Sequence, residues 1–237
     1  MLTVNINSAG YDKKNIYLKN IKFKINKGEI VGLIGANGAG KSTTIKSIIG
    51  TINEFDGTIE IQTNLRFSYI PEEPIIYENL TLWEHLSLAS SSYQLKDCVW
   101  IPKANELLQL FKLDDKKDAF PVNFSKGMKQ KTLIVLSFMT QSDIYIIDEP
   151  FIGLDPIATK NLISLLILEK NRGASILMST HVLDTAEKLC DRFILLSNGQ
   201  ILCEGTLSKV RNLSGQSKDS SLLDCFNYLL EGESNNE

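Results

Sequence analysis

The residues best able to do chemistry fall into two groups, the first of them rich in glycine. Gly35-Ala36-Asn37-Gly38-Ala39-Gly40-Lys41-Ser42, followed by Thr43, satisfies the spacing G-x-x-x-x-G-K-[ST]. It lies between a continuously apolar run, Ile30-Val31-Gly32-Leu33-Ile34, and a stretch from Ser42 to about Gly50 with helical patterning. Strand, loop and helix in that order cradle phosphate. Glycines let successive N–H groups converge on the oxygens, and the helix aims its positive end at the same anion. In such a cradle Lys41 reaches the β- and γ-phosphates and the Ser42 hydroxyl binds Mg²⁺. The motif implies a nucleoside triphosphate; it names no class of protein.

The second group is acidic. Ile144-Tyr145-Ile146-Ile147 reads as a buried strand that ends in Asp148-Glu149-Pro150. The end of a parallel strand is where ligands of α/β sheets bind. Asp148 supplies the hard anionic oxygen that suits Mg²⁺ through its water shell. Glu149 is placed to orient and polarise an attacking water, a contribution of about 10²–10⁴ in rate for a positioned base. A solvated strand exit is the plain alternative, and the phosphate motif upstream argues against it.

The elements that must position these groups follow from pattern. Residues 2–6 and 16–25 read as strands, 57–70 as two more, and Thr81-Leu82-Trp83-Glu84 as a capping box that opens a mostly helical segment to about Asp118. A helix begins near Ser125. Strand 143–147, helix 156–171, strand 174–179 and helix 182–190 follow, then a hairpin around Ser197-Asn198-Gly199-Gln200 and a short helix at 220–231, with 232–237 disordered. Alternation of this kind predicts an α/β fold with a mostly parallel sheet. The nucleotide-binding core spans 1–81 and 129–211, a helical insertion spans 82–128, and a tail spans 212–237.

Composition limits the partners. With 237 residues the chain can form one large domain that buries about 70–75% of its unfolded surface. A formal charge of −3 leaves no basic footprint that would call for nucleic acid. Cys98, Cys190, Cys203 and Cys225 form no C-x-x-C pair, so inert reduced thiols are expected. The start, Met1-Leu2-Thr3-Val4-Asn5-Ile6, alternates like a strand and not like a signal peptide, and no apolar run reaches the roughly 20 residues of a membrane span.

Taken together, G-A-N-G-A-G-K-S-T at 35–43, Asp148-Glu149-Pro150, Gly153-Leu154-Asp155-Pro156 and Ser179-Thr180-His181 resemble the ABC (ATP-binding cassette) ATPases over residues 2–211. The resemblance implies a P-loop cassette with a RecA-like core, an antiparallel β part and an α-helical subdomain, using ATP and Mg²⁺. It implies that Tyr11 stacks on adenine, where the alternative is an ordinary loop tyrosine. It also implies that His181 touches the γ-phosphate and that Asp155 acts across a cassette–cassette interface. Phe124-Ser125-Lys126-Gly127-Met128 occupies the place of the family signature L-S-G-G-Q, with Ser125 and Gly127 serving a γ-phosphate bound on the opposite subunit.

Four departures stand out. Phe124 replaces a leucine, Lys126 replaces a glycine, Met128 replaces a glutamine, and Glu72 stands where the family has a glutamine that links Mg²⁺ and the attacking water to the helical lobe. The wider pattern, including Ile70-Pro71-Glu72, Tyr77-Glu78-Asn79-Leu80-Thr81 and Lys129-Gln130-Lys131, is similar to the ATP-binding subunits of Ecs-type bacterial exporters. That likeness implies a second cassette, an integral-membrane permease as a separate chain, and a peripheral place on the cytoplasmic side of the bacterial membrane. Trp83, Leu86 or Trp100 are the candidates for an exposed docking patch, with core packing the favoured alternative for all three. The competing readings are a soluble ABC ATPase outside transport and a weakly hydrolysing regulatory cassette.

Overall fold

A computed structural model of the chain describes residues 2–234. In chain order, the first segment forms β1 (Leu2–Asp12), β2 (Asn15–Ile25), β3 (Ile30–Gly35), α1 (Lys41–Ile48) and β4 (Glu54–Ile61). Next come β5 (Phe67–Ile70), α2 (Leu82–Ser92), α3 (Asp97–Leu110), α4 (Lys126–Phe138), β6 (Ile144–Asp148) and α5 (Pro156–Arg172). The last segment gives β7 (Ser175–Thr180), α6 (Leu183–Leu189), β8 (Arg192–Ser197), β9 (Gln200–Gly205), α7 (Leu207–Leu213) and α8 (Leu222–Ser234). The chain forms two compact units, one from residues 1–63 with 175–237 and the other from 64–174.

In the first unit, β1 pairs antiparallel with both β2 and β4. The expected strands at 2–6 and 16–25 are longer than their alternating cores. Register shifts after Ile6, Ala9 and Gly10 break the alternation while pairing continues to the turn at residues 12–15. Asp12 closes that turn, accepting from the backbone N–H groups of Lys14 and Asn15, each at 2.9 Å. β3 lies between β7 and β8, parallel to both, and β9 returns antiparallel on β8. Every residue of β3 and β7 is buried, which is why β3 and the centre of β7, Ile176-Leu177-Met178, run apolar without alternation.

In the second unit β5 and β6 pair in parallel, with Ile70 opposite Ile147. The expected pair of strands at 57–70 is thus β4 and β5, which belong to different units. Thr81 caps α2 in a reciprocal box with Glu84, as the sequence predicts. Asp155 caps α5, Pro156 occupies its first turn, and Gly173 (φ 104°) ends it in the left-handed region.

One expectation needs correction. Of the segment 232–237 read as disordered, 232–234 belong to α8 and 235–237 lie outside the described residues; α7 was not anticipated. Between a docking patch and core packing, the structure takes the favoured core packing for Leu86 and Trp100. Leu86 is fully buried and Trp100 nearly so, while half-buried Trp83 packs on Trp100 at 5.1 Å under the Lys117 ammonium. The apolar periodicity of α2 and α3 reported their inner faces.

Candidate functional site

β3 carries the chain straight into the glycine-rich loop, and α1 begins at Lys41. No side chain caps α1, and Gly40 sits at φ 108°. A Cβ there would fall 2.7 Å from the Leu18 side chain, so the position excludes larger residues by both dihedral and space. Gly38 (φ 84°) faces open space, and Ala36, Asn37 and Gly38 are exposed, while Ala39, Lys41 and Thr43 are buried and Ser42 is half-buried. The Lys41 ammonium donates to the carbonyls of Gly35 (2.8 Å) and Ala36 (3.3 Å), curled within its own loop. An open cradle of positive-φ backbone, a helix N-terminus without a side-chain cap and an ammonium at its base is chemistry that fits a phosphate chain.

The loop is braced from a place the sequence did not flag. Gly199, in the β8–β9 turn, donates its N–H to Ala39 O at 3.0 Å, and its carbonyl accepts from the Lys19 N–H at 2.9 Å. A Cβ on Gly199 would stand 1.6 Å from Tyr17 O, so only glycine permits this approach. The Asn-Gly turn signal was legible; its role as a brace joins segments far apart in the chain and was not.

Tyr11 is 42% exposed at the end of β1. Its ring meets Tyr17 edge-on at 5.5 Å, and the Lys46 ammonium of α1 lies 5.3 Å from its centroid. An exposed ring held on two sides is a ready platform for a flat base. His181 is exposed, one residue beyond β7, and the following Val182 N–H donates to Thr180 Oγ1 at 3.0 Å.

In the second unit, β6 ends in buried Asp148, and buried Glu149 follows it directly. Glu149 has φ 47°, a left-handed conformation uncommon for a non-glycine residue and costing about 1–3 kcal/mol. Exposed Glu72 follows β5, and Tyr69 senses both it and Asp148. Burial, then the Asp148 and Glu72 charges, push the Tyr69 phenol up to about 12. The two metal-binding candidates of this unit thus share one end of the β5–β6 pair. Among the described residues no group of three or more His, Cys, Asp or Glu clusters to hold a metal. One or two carboxylates fit Mg²⁺ carried in on substrate phosphates better than a closed cage.

The degenerate signature is ordered. Ser125 is the N-cap of α4, its Oγ accepting from the Met128 N–H at 3.3 Å. Gly127 packs against the turn after Glu149: a Cβ there would lie 2.4 Å from Gly153 O. Two residues past that turn, Asp155 Oδ2 accepts from the Lys131 ammonium at 2.6 Å and Oδ1 from the Ala158 N–H at 2.8 Å. The Lys131 bond first, then the backbone bond, hold the Asp155 carboxyl below the usual range. Ser125, Gly127 and Asp155 are therefore one linked surface. Lys126 is exposed and Met128 half-buried.

The same unit has an apolar groove of about 300 Å³, lined by Tyr69, Ile75, Tyr77, His85, Leu88 and Leu136 among others. Ile75 is 80% exposed and Tyr77 64%. His85 holds the groove wall in place, its Nε2 accepting from the Tyr77 N–H at 3.1 Å.

The ABC transporter family profile matches residues 18–152. The chain is 49% identical to an uncharacterised ABC transporter ATP-binding protein, YthP of Bacillus subtilis, over 98% of each chain. It is 43% identical to the ABC-type transporter ATP-binding protein EcsA of the same organism, with all of this chain and 99% of that one covered. A solved structure described as the ATP binding subunit of an ABC transporter has a TM-score of 0.92 and 42% identity, covering 97% of this chain and 99% of the other.

Proposed function

Since the chain belongs to the ABC transporter ATP-binding family, we propose that it drives a separate membrane subunit, in the direction of export, by ATP-dependent pairing of two cassettes. The family binds ATP, and the coarse activity is that of a transporter's ATP-binding subunit. The observation that carries the reading is the phosphate loop: open at Gly38, held at a positive φ by Gly40, and built on a helix whose N-cap residue makes no side-chain hydrogen bond.

The residues divide the work. The N–H groups from Asn37 to Thr43 and the Lys41 ammonium bind the phosphates, so Lys41 exchanges its carbonyl partners Gly35 and Ala36 for phosphate oxygens. Tyr11 stacks on the base. Ser42, Asp148 and Glu72 are the residues that would hold Mg²⁺, and when bound it would supply charge neutralisation on the phosphates. Glu149 orients the attacking water and takes its proton; His181 touches the γ-phosphate. Ser125 and Gly127, with Asp155 behind them, meet the γ-phosphate of a second cassette. Loss of that phosphate removes the bond between cassettes and the pair opens.

The membrane subunit docks a cytoplasmic helix in the groove of Ile75, Tyr77 and Leu88, a helix-in-groove contact in place of the Trp83–Leu86–Trp100 patch. No helix among the described residues is long and apolar enough to cross a membrane, and the peripheral, cytoplasmic-side place of the subunit rests on the family resemblance. Likeness to EcsA of Bacillus subtilis supports a bacterial transporter, and the export direction rests on the sequence resemblance. A weakly hydrolysing regulatory cassette is the second reading, favoured by Lys126, Met128 and Glu72, and turnover measured with the membrane subunit separates the two.

The deciding experiment uses Glu149→Gln, which keeps shape and binding but loses the base. Its turnover falls about 10²–10⁴-fold, and its molar mass by light scattering doubles with Mg-ATP and not without it. Parent-level hydrolysis refutes the role of Glu149. A persistent monomer refutes self-pairing of this chain.

A further inference from the structure

The tail after β9 contributes no motif, yet it is built into the core of its unit. Val210 of α7 and Leu222, Cys225 and Phe226 of α8 are buried with Ala186 of α6 and with Ile34, the penultimate residue of β3 before the phosphate loop. α6 has only seven residues, too few to hold a helix without tertiary support. That support comes from the tail by a specific polar contact as well as by packing.

Glu187, on α6, reaches out of its helix toward the tail. Its Oε2 accepts the N–H of Leu222, the first residue of α8, at 2.7 Å. Its Oε1 accepts from the Arg211 guanidinium of α7 at 3.4 Å, and Arg211 Nε in turn donates to Ser220 O at 2.7 Å. A carboxylate at the start of α8 satisfies a helix N–H that α8 itself cannot bond and meets the positive end of its dipole. Glu187 and Arg211 are mostly withdrawn from solvent, at 24% and 21% side-chain exposure, so the pair is not a screened surface contact.

The other end of α6 leads to the switch. His181 occupies the single step between β7, which ends at Thr180, and Val182, at the N-cap position of α6. β7 is fixed by its pairing with β3. Its Thr180 hydroxyl also holds the Val182 N–H. A link this short has no slack: a tilt or shift of α6 must be taken up at His181.

We propose that Glu187 is a positioning residue through which the C-terminal helices α7 and α8 set the place of His181. The proposal rests on the reading of His181 as the residue that touches the γ-phosphate. The tail thereby gains a role in the chemistry, since whatever binds or moves α7 and α8 changes how the histidine meets nucleotide.

The chain has two histidines, and His85 lies in the other unit, so ring-carbon NMR of the full chain gives one reporter and one internal control. Loss of one signal in His181→Asn assigns the pair. In Glu187→Ala the His181 signal is expected to move or broaden while that of His85 stays in place. In Glu187→Gln, which keeps an oxygen to accept from Leu222 N–H, the His181 signal returns to its parent position. Should Glu187→Ala fail to fold, Arg211→Ala, which leaves the Leu222 bond intact, is expected to give a smaller displacement of the same signal. In the assembled transporter Glu187→Ala lowers kcat for ATP by about 2- to 30-fold, the range for mutations that modulate coupling without touching ligand, with KM unchanged and with rescue by Glu187→Gln. A His181 signal that stays in place in a folded Glu187→Ala or Arg211→Ala chain overturns the proposal, whatever turnover does. Parent-level turnover of His181→Ala would instead sink the γ-phosphate role and leave the NMR result to decide the positioning.

Discussion

The loops at 35–42 and at 124–128 both depend on glycine, for different physical reasons. In the first, Gly38 and Gly40 sit at φ 84° and 108°, so what they supply is a backbone conformation that turns N–H groups inward. In the second, Gly127 has no positive φ; what it supplies is the absence of a side chain, letting backbone approach Gly153 O. A loop built on dihedrals leaves little choice of residue along its length. One built on a single close approach constrains that point and frees its neighbours. This explains how Lys126 and Met128 can stand in the signature: neither has a positive φ, Lys126 is exposed, and α4 still begins at the Ser125 cap.

The largest effect that tests the contrast is on nucleotide binding. Lys41→Ala removes charge-assisted hydrogen bonds of about 1.5–3 kcal/mol, so ATP affinity of the isolated chain falls roughly 10- to 100-fold by titration calorimetry. Lys126→Ala leaves that affinity alone, because its place in the signature is to face a second cassette. A comparable loss in both would mean that Lys126 serves the nucleotide on its own subunit.

Alanine at the two kinds of glycine sharpens the comparison further. Gly127→Ala drives a methyl to within 2.4 Å of a backbone oxygen that cannot rotate away, a case of overpacking that costs about 1–3 kcal/mol. Gly38→Ala meets no neighbour and costs only the left-handed backbone, about 1–2 kcal/mol, but its methyl occupies the open rim of the cradle. Denaturant melts should thus show both variants destabilised, while ATP titration shows a loss for Gly38→Ala alone. Parent stability in Gly127→Ala would show that the turn at Gly153 gives way, and the distinction drawn between the loops would go with it.

How far the site was legible follows the same line. The phosphate loop and the acidic strand end are local: each needs one strand, one turn and a short run of neighbouring residues, and the elements read around them are β3, α1 and β6. α2, α4 and α5 were legible because their caps, Thr81, Ser125 and Asp155, are written beside them. What pattern could not give is support from afar. Gly199 bracing Ala39, and Glu187 holding the first N–H of α8, join segments whose partners no periodicity names. Leu86 and Trp100 show a related ambiguity: an apolar residue on a helix looks the same in sequence whether it faces core or a docking partner, and the favoured reading, core, is where they lie. Ile75 and Tyr77, in a stretch without helix or strand, carry the exposed apolar surface instead.

The smallest effect concerns what holds the second loop in place. Lys131 of α4 and Asp155 tie the signature helix to the turn that Gly127 touches, by an ion pair that is half exposed at Asp155. Because the Lys131 bond depresses the Asp155 pKa, the carboxylate adds stability above its unfolded value of about 3.9 and loses it as pH falls through the lowered folded value. Asp155→Asn keeps an oxygen to cap α5 but drops the charge. The gap between parent and variant in denaturant melts should stay below about 1 kcal/mol at neutral pH and shrink with salt. It should also close in acid below pH about 3.9. A gap that persists in acid would assign the loss to the cap at Ala158, and the second loop, like the first, would then be held by backbone hydrogen bonding and not by charge.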